Sequence, residues 1–209
     1  MQIQIKNVIK GSFLLMAFSM VMFSCKKDND VAGTLSVPDE SASVTPNFPG
    51  TINGRWGNPA SGPGAFGTVY FNVATGAQDT VGTISYNLTF TGNNNSTIGK
   101  ANASDTLRYL NTTTVLDNIS LTDYAGATPV TTFSQNTVTD DLNASLTANG
   151  WWNYNSTTHV VSYTHNVVIF YRAAGSGTNI YAFKFNNAVG EGGPTFNRGV
   201  YSLRRGRVQ

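Results

Sequence analysis

Three observations predict an all-β fold, an antiparallel, sandwich-like single domain with at most one or two short helices. Downstream of residue 50 the chain is dominated by Thr, Asn, Ser, Gly and aromatic residues, with few strong helix formers. Two apolar runs rich in β-branched and aromatic residues, 167–171 (VVIFY) and 180–185 (IYAFKF), flank a Gly/Ser connector at 173–178, the pattern of an antiparallel hairpin. Further upstream Ile84, Tyr86, Leu88 and Phe90 alternate strictly with other residues, the period of a half-buried strand.

The chain begins with an address label. Lys6 and Lys10 precede an uncharged, mainly apolar stretch at 11–24. That stretch is shorter than the about 20 apolar residues a bilayer-spanning helix needs, so residues 1–24 read as a signal peptide. It ends in Ser24-Cys25, and Cys25 is the single cysteine. A small residue before a cysteine at this place resembles a bacterial lipobox, in which the thiol is acylated. The charged KKDND that follows resembles the export tag of Bacteroidota surface lipoproteins, so lipid anchoring at Cys25 to the outer membrane, facing the cell surface, is expected. Residues 25–50 then form the lipidated cysteine and a flexible tether, with Pro38, Pro46 and Pro49 and no apolar period. Residues 51–209 form the folded domain.

Acylation of Cys25 removes the one thiol, which excludes disulfides, thiolate metal sites and a cysteine nucleophile. All four methionines lie before residue 25. Without Lys6 and Lys10, eleven basic residues face eleven acidic ones. A neutral surface argues against nucleic acid, which is held by Lys and Arg neutralising phosphates.

Within the domain, 66–74 and 81–90 read as strands joined by a hairpin at 75–80, and 92–96 (GNNNS) as a loop. Further strands are expected at 106–110, 113–121, 160–163 and 199–203. Thr139, Asp140, Asp141 and the Leu142/Leu146 pair suggest one helix at 139–149, stopped by Gly150. In the second arm of the hairpin, Tyr181, Phe183 and Phe185 alternate with smaller or polar residues, which predicts one buried and one wet face. Gly190–Gly193 reads as a turn.

No nucleophile–base pair, paired acids in a cleft or phosphate loop is recognisable, so the protein is read as a non-enzyme. The materials for a flat, apolar ligand gather at 150–172. Trp151, Trp152, Tyr154, Tyr163, Phe170 and Tyr171 could wall a haem slot, and the two histidines of the chain, His159 and His165, are candidate iron ligands. On one straight strand these two would stand about 20 Å apart. They can share a metal only if the chain turns sharply near 163–166.

The succession GWWNYN, a strand ending in Tyr171-Arg172, a Gly-containing turn, YAFKF and a terminal GVYSL resembles the C-terminal half of the HmuY-type family, all-β haem-binding lipoproteins of Bacteroidota. The resemblance covers roughly residues 150–205 and continues faintly upstream, where Tyr86-Asn87 stand in place of a Trp-Asp pair. It implies haem as the ligand, a haem-carrying host protein as its source and an outer-membrane haem receptor as a partner. The axial histidine of relatives falls on Ser156, and 116–139 contains no histidine where relatives place another ligand. What remains is haem held by His159 alone, by a tyrosinate or by apolar contacts.

A rival function comes from the same aromatics. Trp151, Trp152 and Tyr154, set among Asn and Thr, would also suit a glycan or another protein. Alternation along a strand puts Trp152 and Tyr154 on one face and Trp151 in the core. The structural alternative is that all three are core aromatics.

Overall fold

The chain enters the fold at β1 (Phe48–Asn53), whose first three residues close the stretch that the sequence assigns to the tether. It continues through β2 (Val69–Phe71), β3 (Gln78–Asp79), β4 (Leu88–Thr91), β5 (Thr97–Lys100), β6 (Thr106–Asn111), a short helix α1 (Leu121–Gly126), β7 (Thr128–Val130) and β8 (Thr132–Phe133). After these come β9 (Trp152–Tyr154), β10 (Val161–Tyr163), β11 (Val167–Arg172), β12 (Ile180–Gly193) and β13 (Phe196–Val208). The structure, a computed structural model, describes residues 47–135, 149–155 and 160–209, all within one compact unit, Asp39–Gln209.

The domain is all-β and antiparallel, with one short helix. A six-stranded sheet runs β1-β13-β12-β11-β6-β7, a five-stranded sheet runs β3-β2-β4-β5-β8, and β9–β10 form a two-stranded ribbon. The main core lies between the two larger sheets and the ribbon. Val167, Ile169, Tyr171, Phe183, Phe185, Tyr201 and Leu203 of the first meet Val69, Phe71, Leu88, Phe90 and Ile98 of the second. The hairpin expected from the apolar runs forms with the connector in place: Ile169 pairs with Phe183 and Arg172 with Ile180.

The second face of that hairpin is not wet. Ile180 and Ala182 are buried with Val168, Phe170 and Val208 in a separate cluster. Leu116, Ile119, Tyr124 and Ala127 cover it. That cover replaces the strand expected at 113–121. Residues 116–118 make a 3-10 turn, and Ser120 caps α1. The Ser120 side chain accepts from the Asp123 amide while the Asp123 carboxylate accepts from the Ser120 amide. This reciprocal pair satisfies two otherwise orphaned N–H groups. Arg108 closes the other end, donating to the carbonyls of Tyr124, Ala125 and Ala127.

Two other strands are shorter than the pattern predicts. Of 81–90, the strand β4 includes only Leu88, Thr89 and Phe90. The Asp79 carboxylate accepts from the amides of Val81, Gly82, Thr83 and Ile84 and from the Thr83 hydroxyl, which bends the chain and removes those donors from any ladder. Those bonds also hold the carboxyl well below the usual range, the Thr83 hydroxyl contributing most. Of 66–74, Val69–Phe71 alone is strand, because Pro63–Phe66 is a 3-10 turn that ends at Gly67, with φ of 61°.

Gly190–Gly193, expected as a turn, is instead the far end of β12. β12 and β13 pair from Ile180↔Val208 to Gly193↔Phe196, with one irregularity between Phe185 and Asn187. Glycines persist in these strands because other groups occupy the space above them. A Cβ on Gly199 would lie 2.0 Å from the Tyr201 hydroxyl, which donates to the Asn94 carbonyl at 2.6 Å. The helix expected at 139–149 falls mainly on residues outside the described ones.

Candidate ligand-binding cleft

β12 outruns its neighbour. Its pairing with β11 ends at Ile169↔Phe183, whereas β12 continues with β13 for ten more residues. At that point the chain before β11 turns through His165 and Asn166 into β10, which packs across β12. A cleft of about 430 Å³ opens where the strands part. Tyr163, His165 and Asn166 form one side, Lys184, Phe185, Asn186 and Arg204 the floor, and Val115, Leu116, Asp117 and Asn47 the other side. Its volume is typical of a small-molecule site.

The His165 ring stacks on Tyr163, with centroids 4.3 Å apart and planes at 15°. Stacking occupies the face of the imidazole, and neither ring nitrogen has a hydrogen-bond partner among the described residues. Burial, and then the charge of Lys184, hold the His165 pKa below 6.5, so the ring is neutral at pH 7. Burial also lowers Lys184 and raises Tyr163.

Two cations share this floor. Lys184 and Arg204 are directly opposed across the β12–β13 ladder, where like charges repel. Neither has an ion-pair partner among the described residues. Arg204 is clamped instead by Asn47, donating to its side-chain oxygen at 2.8 Å and to its carbonyl at 2.9 Å, and Asn47 in turn donates to Asp117. The site therefore presents neutral imidazole, two positive charges, the Asp117 carboxylate and the exposed apolar side chain of Val115 to one space.

The aromatics expected to form a platform lie elsewhere. Trp151 is buried between Phe185, stacked at 3.8 Å, and Tyr201, met edge-on at 4.8 Å; its indole donates to the Ser96 carbonyl. Trp152 and Tyr154 do share a face and stack with their planes at 2°. That face is turned into the core, since Trp152 is 3% exposed and Tyr163 and Val161 oppose the pair across the ribbon. A sugar could not reach Trp152. Tyr171 and Phe170 are likewise core residues on opposite faces of β11, and the Tyr171 hydroxyl donates to buried Asp105 at 2.7 Å. Of the expected site, Tyr163 and His165 come together in the cleft. Ser156, His159 and Cys25 lie outside the described residues, so a His159–His165 pair cannot be measured.

Lys184, Arg204, Asn47 and Asp117 were not anticipated. Lys184 did leave a sign, being the charged residue inside an otherwise aromatic strand. The other three reach the cleft through pairing of β1 with β13 and through the 116–118 turn, neither of which has a local sequence signature. Among the described residues no group of three or more His, Cys, Asp or Glu side chains could hold a metal ion. Comparison with known proteins finds no matching family model, no matching curated protein and no matching solved structure.

Proposed function

We propose that the protein is a non-catalytic, lipid-anchored surface protein that captures haem in the His165 cleft. The observation that carries this reading is a neutral imidazole with no hydrogen-bond partner among the described residues, facing the same space as two cations with no ion-pair partner among those residues. Haem is a flat apolar ring with a metal that takes a neutral nitrogen and an edge that carries two carboxylates. His165 would supply the nitrogen, its orientation held by the stack on Tyr163. Lys184 and Arg204 would pair with the carboxylates, and the exposed Val115 would lie against the ring. An anion bridging Lys184 and Arg204 also relieves their mutual repulsion, which gives the ligand a share in stabilising the β12–β13 ladder. Anchoring through Cys25 would hold this cleft at the outer surface of the cell, with haem taken from a host carrier and released to a membrane receptor.

The test is a haemin titration of the full chain followed by visible absorption. A saturable shift of the Soret band is expected, and His165→Ala should weaken binding by at least the about 10–100-fold that even outer-shell changes cost a metal site. Lys184→Ala and Arg204→Ala should weaken it without changing the band position, because they touch the carboxylates and not the metal. No spectral change in the wild-type chain rejects haem. An unchanged spectrum in His165→Ala, with loss in His159→Ala, moves the ligand away from this cleft.

A further inference from the structure

The third tryptophan stands apart from the other two. Gly57 and Asn197 exchange two backbone hydrogen bonds, at 2.9 and 3.0 Å, which brings the chain after β1 alongside the tip of the β12–β13 hairpin. Trp56 there stacks on Phe196, with centroids 5.3 Å apart and planes at 12°. Both stay open to solvent, at 41% and 59% exposure. The Arg198 guanidinium lies 5.0 Å from the Trp56 ring centroid. It is fixed by Glu191, one carboxylate oxygen accepting from both Nε and a terminal nitrogen at 2.7 Å.

Beside this ridge is a groove of about 250 Å³, lined by Tyr154, Val161, Gly190, Glu191, Gly192, Gly193, Pro194, Asn94 and Asn197. Gly192 joins the two: its φ is +95°, and a Cβ there would meet the Phe196 carbonyl at 2.4 Å and Trp56 at 2.6 Å. Ridge and groove therefore meet over bare backbone. Asn197 is 8% exposed. Its amide nitrogen donates to the Gly193 carbonyl at 3.0 Å, but its Oδ1 is buried and accepts no hydrogen bond among the described residues. A buried acceptor left unpaired is costly, so in a built site it marks where a donor enters.

We infer that the hairpin tip is a second binding site, for an uncharged sugar ring. The ligand must offer a flat apolar face to Trp56 and Phe196, an O–H donor to Asn197 Oδ1, and groups that both donate and accept beside Arg198 and Glu191. A pyranose does all three, its axial C–H bonds stacking and its hydroxyls serving either role. Because Arg198 and Glu191 neutralise each other, a charged ligand gains little. An extended peptide cannot add to β13 here, since β13 is bonded at the tip to β12 on one side and to Gly57 on the other. The groove is smaller than the about 300–1,000 Å³ of drug-sized sites, which suits one ring of a chain whose neighbours run over the aromatic ridge.

The experiment is titration of the full chain with four uncharged oligosaccharides, maltohexaose, cellohexaose, chitohexaose and mannohexaose, followed by calorimetry and indole fluorescence. Saturable binding to at least one is expected, with an emission change that disappears in Trp56→Phe because Trp151 and Trp152 are buried. Trp56→Ala and Phe196→Ala should each weaken binding about tenfold or more, as loss of a central aromatic contact does. Phe196→Ala removes a mostly exposed ring and should leave the haemin titration unaltered, which separates this site from the His165 cleft. Absence of saturable binding to all four sugars, or equal affinity in the two alanine variants, overturns the proposal. So does binding confined to protein partners.

Discussion

Trp151 and Trp56 sit against the same long hairpin and have opposite fates. Trp151 enters between Phe185 and Tyr201, has 1% of its surface exposed and gives its N–H to the Ser96 carbonyl. Trp56 lies over glycine-backed strands at the tip, steadied by Phe196 and Arg198 and open to solvent. One indole is part of what holds two sheets together, and the other is held out by them. The difference shows that an aromatic residue on this hairpin stays exposed where no facing strand covers it. The hairpin reaches past the core at its tip, beyond the facing sheet, and rings placed there have no opposite wall.

The largest expected effect tests the buried member. Trp151→Ala should cost about 3–5 kcal/mol by chemical denaturation, because it opens a cavity among Phe185, Tyr201 and Leu203 and orphans the Ser96 carbonyl. A loss under about 1 kcal/mol would mean that this indole is not wedged as described. The glycines draw the same contrast. Gly199→Ala forces a Cβ against the Tyr201 hydroxyl and should cost about 1–3 kcal/mol. Gly193→Ala, at the tip with nothing within 4 Å and no positive φ, should be neutral or raise the stability by a few tenths of a kcal/mol, measured in parallel. Tyr171→Phe removes one donor from buried Asp105, leaves the Ala174 amide, and is expected to cost about 1–3 kcal/mol. Trp56→Ala should change stability by no more than about 0.5 kcal/mol while abolishing sugar-induced fluorescence changes.

The smallest effect concerns acid. The folded pKa of His165 lies below 6.5, so between those values the unfolded chain binds the proton more readily. Stability should therefore fall as pH drops through 6.5 and level off below the folded pKa. His165→Gln should remove that step from denaturation curves taken between pH 7.5 and 5. Asp79 acts lower in the same direction. Its depressed pKa adds stability above the ordinary 3.8, and that contribution is lost as pH falls below it, together with order in the 80–84 loop.

Several elements could be read directly from residue order. Residues 167–171 and 180–185 with their Gly/Ser connector formed β11, β12 and the turn between them, because β-branched and aromatic runs favour strands wherever they meet a partner. The chain does turn at His165–Asn166, within the 163–166 stretch where a sharp bend was the condition for two histidines to share a metal, but His159 lies outside the described residues. The strand expected across 81–90 failed for a local reason that was visible, since Asp79 stands where an acid can take the next amides. The S-x-x-D of Ser120–Asp123 is likewise a local pattern, the capping box that opens α1 where a strand was expected.

Composition and periodicity, acting over a few residues, determined that this chain would be antiparallel sheet with an aromatic hairpin near its end. Tertiary structure alone decided which aromatics are covered, that Lys184 faces Arg204, that the Asn197 side-chain oxygen finds no donor among the described residues and that Trp56 rests on Gly192. Those outcomes follow from pairings between residues far apart in the chain, β1 with β13 and the 116–127 segment with the back of β11. Alternation tells a side chain which face to take, but not which of the two faces another element will cover.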